Sequence, residues 1–92
     1  MDPNATVALI NQHLDDGDLE EAQEALNNFS TWLESGGFKP ENDEKTSDTL
    51  IRCMSHGLWP TNPNAWVKVG LLRPQAARVA RHVAANSAKK TA

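Results

Sequence analysis

Apolar positions recur at helical spacing through the first third of the chain. Val7, Ile10 and Leu14 form one stripe, and Leu19, Ala22, Leu26, Phe29 and Leu33 form a second, both with the period of an amphipathic helix. Asp2 is placed to cap the first helix, with Pro3 at its first position, where a missing N–H costs nothing. Gly17 is a stop, and Asp18 followed three residues later by Glu21 has the spacing of a capping box. Gly36-Gly37 stops the second helix, and Phe38 is expected to fold back on Leu33 as the apolar contact of a Schellman cap. Residues 1–38 therefore predict a helical hairpin.

Periodicity weakens beyond it. Residues 39–46 are polar, contain Pro40 and read as a linker. Ser47 or Asp48 then opens a third helix that holds Leu50, Ile51, Met54 and Leu58, weakened by Gly57. Pro60 and Pro63 predict an irregular stretch from Leu58 to Trp66. Residues 66–72 suit a short helix or a short strand. Pro74 opens a last helix to about Asn86, with Ala76, Val79, Ala80 and Val83 inward, and residues 87–92 read as a frayed tail. The expected fold class is all-α: a single small domain in which the hairpin meets a C-terminal half (47–86) of two or three shorter helices.

Composition supports helix and warns of a small core. Leu, Ile, Val and Phe number 18 of 92 residues, whereas twelve Ala and three Trp (Trp32, Trp59 and Trp66) favour a folded helical chain. A domain of this length buries only about 60–65% of its unfolded surface, so self-association or a covering partner is expected. The one cysteine, Cys53, has no internal disulfide partner, which fits a reducing compartment. Neither a basic-then-apolar leader nor an apolar run of membrane-spanning length is present, so the expected location is cytoplasmic.

Charge changes the picture more than composition does. Residues 1–48 carry all twelve carboxylates against Lys39 and Lys45, a net −10; residues 49–92 carry seven bases and no acid, a net +7. Such segregation points to docking between the halves, with Arg78 and Arg81 on the acidic hairpin, or to outside partners.

The turn Gly17-Asp18-Leu19-Glu20-Glu21-Ala22, Leu26 four residues after Ala22, and Pro40 beyond the second helix resemble a single tetratricopeptide-type helix pair over residues 8–40. His13 stands where that pattern has an aromatic, Phe29 stands where it has a small residue, and no second copy follows. One repeat does not build the concave groove of such arrays. The ending Trp32-Leu33-Glu34-Ser35-Gly36-Gly37-Phe38-Lys39-Pro40 is also similar to small bacterial and phage proteins, a likeness that implies no activity.

Candidate chemistry is sparse. Cys53 and His56 sit three apart and could share a helix face, with His13 and His82 as further zinc donors, but no second close pair completes a four-ligand set. The same Cys–His couple lacks a third group to orient the base. The acid pairs Asp15/Asp16 and Glu20/Glu21 fall at helix ends, where the dipole and capping account for them. Gly36-Gly37 follows a helix, unlike a phosphate loop, which precedes one. No catalytic residue, metal site or cofactor is therefore expected. Arg78, Arg81 and His82 fall at i, i+3 and i+4 as a basic stripe suited to phosphates. Trp59 and Trp66 bracket a Pro-stiffened loop with the character of a binding hot spot, or else they plug the core. The expected function is a small non-enzymatic protein–protein interaction or adaptor module, which could form a homo-oligomer. The alternatives are a nucleic-acid-binding regulator that uses the basic last helix, and a phage-type inhibitor whose acidic surface mimics nucleic acid.

Overall fold

The computed structural model describes residues 1–80 and residue 82. Within them the chain is all-α, with no strand. The elements are α1 (Pro3–Asp16), α2 (Leu19–Glu34), α3 (Asp43–Ser55), α4 (Pro63–Lys68) and α5, which spans residues 74–80.

Local chemistry sets the boundaries. Asp2 caps α1 by accepting hydrogen bonds from the Asn4 and Ala5 amides at 3.0 and 3.3 Å. Four glycines, Gly17, Gly36, Gly57 and Gly70, adopt positive φ just past the ends of α1 to α4. Each junction closes with paired Schellman bonds; at the end of α1 they run from Gly17 N to Leu14 O and from Asp18 N to His13 O. This geometry removes the expected capping box. The Asp18 N–H, which Glu21 would have to engage, is already donated to His13, and the Asp18 side chain makes no cap bond.

At the end of α2 the same bonding makes Gly37 the partner of Trp32, one residue earlier than expected. Phe38 therefore does not return to Leu33. It stands 67% exposed, edge-on to Trp32 with ring centroids 5.5 Å apart, and its carbonyl accepts the Trp32 indole N–H at 2.8 Å.

The second half of the polar stretch 39–46 is helix, since α3 begins at Asp43. Asn42 caps α3 by accepting the Lys45 amide at 2.9 Å, and Asp43 and Glu44 occupy the first turn, where carboxylates favour the dipole. Two buried threonines hid this start. Thr46 and Thr49 face the core together with Leu50 and Cys53, and each hydroxyl donates to the carbonyl four residues back. That frame turns Ile51 outward, and Leu58 reaches the core from beyond Gly57 instead of from within the helix. Pro63, expected to prevent a helix, is the first residue of α4, and Trp66 lies inside it. On α5 the buried residues are Ala77 and Ala80; Ala76 is half-buried and Val79 is exposed. The inward side is thus displaced from the one expected, and Val83 lies outside the described residues.

The hairpin is the scaffold: α1 packs on α2, α3 packs on α1, and α4 packs on α2. One core of Val7, Ile10, Leu14, Leu26, Phe29 and Leu33 extends through Leu50 and Cys53 to Trp66 and Leu71. Leu19, expected on the apolar face, lies past the end of α1 at the hairpin tip and is 38% exposed.

Candidate interaction surfaces

The two tryptophans of the Pro-rich segment differ in role. Trp66 is 2% exposed, stacks on Phe29 at 4.9 Å between centroids, and donates its indole N–H to Ser30 Oγ at 2.9 Å. It is a core residue and presents no surface to a partner, because α4 carries it into the hairpin. Trp59 is half-buried, and its carbonyl accepts the Gln23 side chain at 3.0 Å.

Of the basic stripe, Arg78 is exposed and makes no ion pair among the described residues. His82 is exposed, and Arg81 lies outside the described residues. Among the described residues, the electrostatic link between the halves runs through Arg52. Arg52 on α3 pairs with Asp15 on α1 and donates to Asn11 Oδ1 at 3.1 Å, while Asn11 donates to Thr49 Oγ1 at 2.8 Å. All twelve carboxylates are exposed, so the N-terminal half presents a broad acidic surface.

Cys53 and His56 do not converge. Cys53 is fully buried, whereas His56 is exposed as the C-cap of α3. Burial pushes the Cys53 thiol up to about 11, against a smaller opposing effect of the neighbouring Arg52 charge. Among the described residues, no group of three or more His, Cys, Asp or Glu could hold a metal ion. Nor is any described helix long and apolar enough to cross a membrane.

A surface that sequence reasoning missed lies between α3 and the α4–α5 connection. It is a groove whose walls include Ile51, Met54, Val67, Leu72 and Ala76, with Arg73 at its edge. The hydroxyl of Ser47 donates to Leu71 O at 3.0 Å, tying α3 to the connection and holding the groove in shape. Ile51 is 55% exposed here. The signal was present in the spacing: Ile51 is out of phase with the Thr46-Thr49-Leu50-Cys53 stripe, but that stripe becomes visible only once threonine is admitted to the core. No family model, curated protein or solved structure matches this chain.

Proposed function

We propose that this chain is a small non-enzymatic protein–protein interaction module whose docking face is the apolar groove beside Ile51. The observation that carries the reading is the groove itself, an apolar cleft with a β-branched residue more than half exposed at its lip. Exposed apolar residues gathered around a cleft are the features of interaction sites. The buried, protonated thiol of Cys53 and its separation from His56 fit a role without covalent chemistry. A reducing, cytoplasmic setting suits a chain with one unpaired cysteine.

The test is site-specific photocrosslinking in cells that express the protein natively. A photoreactive residue at position 51 is expected to yield protein adducts, and the same residue at exposed Glu24 on α2 is expected to yield few. Equal or absent adducts at both positions would overturn the reading.

A second reading rests on the exposed Arg78, a cation with no carboxylate partner among the described residues. In it the last helix binds nucleic acid, and affinity falls steeply with salt. The twelve exposed carboxylates oppose it, and binding of duplex DNA or RNA at moderate salt is expected to be undetectable.

A further inference from the structure

We propose that the occupant of the Ile51 groove is a second copy of the same chain, docked about a two-fold axis that passes beside Ile51. This rests on the interaction-module reading above and names its partner.

The argument is the order of chemistry across the face. On a helix that turns about 100° per residue, Ser47 and Met54 lie to one side of Ile51 and Asp48 to the other. The surroundings agree: Ser47 and Met54 line the apolar groove, whereas Asp48 and Glu44 line the polar cleft between α1 and α3. The groove side of Ile51 therefore carries one base, Arg73, and the other side carries Glu44 and Asp48, with Arg52 and Lys45 farther round the helix. Arg73, Asp48 and Glu44 are all exposed, and none forms an ion pair among the described residues.

A surface with base on one flank, acid on the other and an apolar strip between is complementary to itself under a two-fold rotation. Such an interface pairs residue i with j′ and j with i′. The rotation sets each Ile51 into the other copy's groove and brings Asp48 and Glu44 opposite the second copy's Arg73.

Sedimentation equilibrium of the full chain across a micromolar concentration series tests the proposal. Wild type is expected to show a reversible step from 10.1 kDa to twice that mass. Ile51→Lys should weaken the dimer about tenfold or more, as loss of a central anchor does. Its circular dichroism should be unchanged, because the side chain already faces solvent. Asp48→Arg and Arg73→Glu should each weaken the dimer about a few-fold, and the double reversal Asp48→Arg/Arg73→Glu should restore it. A strictly monomeric wild type would overturn the proposal, as would a dimer indifferent to Ile51→Lys or a double reversal that fails to rescue. The crosslinking experiment separates the two levels. Adducts at position 51 to a different protein, with a monomeric wild type, would sink the homodimer and leave the interaction reading standing.

Discussion

Ser30 holds two hydrogen bonds in the middle of the core: its hydroxyl donates to Leu26 O at 2.9 Å and accepts the Trp66 indole N–H. Ser30→Ala would leave that N–H buried without a partner, a loss of about 1–3 kcal/mol measurable by urea unfolding. Gly37 is needed for space. A Cβ there would sit 2.2 Å from Trp32 Cε2, so Gly37→Ala must swing the indole away from Phe38 O. The expected loss is about 1–3 kcal/mol, with red-shifted Trp32 emission in a variant whose other tryptophans are replaced by Phe. Cys53 gives a pH prediction. Its thiol ionises near 9.0 when free and near 11 in the fold. Below pH 9 both states keep the proton and stability is indifferent to it; between pH 9 and 11 the unfolded chain ionises first and stability falls. Cys53→Ala should flatten the fall over that interval in denaturant titrations.

At the scale of elements, charge and packing divide the work differently from what segregation along the chain suggested. Arg52 spans from α3 to Asn11 and Asp15 on α1, while Arg78 stands out in solvent. Arg52→Glu should therefore lower the melting temperature, by an amount in keeping with an exposed pair contributing about 0–1 kcal/mol plus repulsion from Asp15. Arg78→Glu should melt like wild type; a matching loss in both would show that the last helix is tied to the hairpin by charge. The hairpin was legible because its signals are local: Asp2, Pro3, Gly17 and Gly36 act on their own backbone, and Val7, Ile10 and Leu14 announce their face. The start of α3 was not, because a threonine that bonds its own helix four residues back is apolar enough to bury while reading as linker. The start of α4 was missed for a related reason, as Pro63 breaks a helix only when something precedes it. The outward side of Ile51 follows only from that frame, so the groove is not legible before the helix is placed.

For the whole molecule, twelve exposed carboxylates crowd the first 48 residues, and two ion pairs, both on the surface, are formed among the described residues. Repulsion among these carboxylates is therefore expected to outweigh the attraction that salt screens away. Added salt, whose screening length is about 8 Å at physiological strength and about 3 Å at 1 M, should leave the melting temperature steady or raise it. A clear fall in scanning calorimetry would mean that long-range attraction between the halves holds the fold.

The left-handed glycines past the ends of α1 to α4 also bear on how fast the molecule assembles. Each stop is written within a few residues of the helix it ends, so helix lengths are metered before distant parts of the chain meet. Few large loops then have to close, and chains of that kind cross their barrier in about microseconds to milliseconds. Temperature-jump relaxation of Trp66 fluorescence should fall in that window.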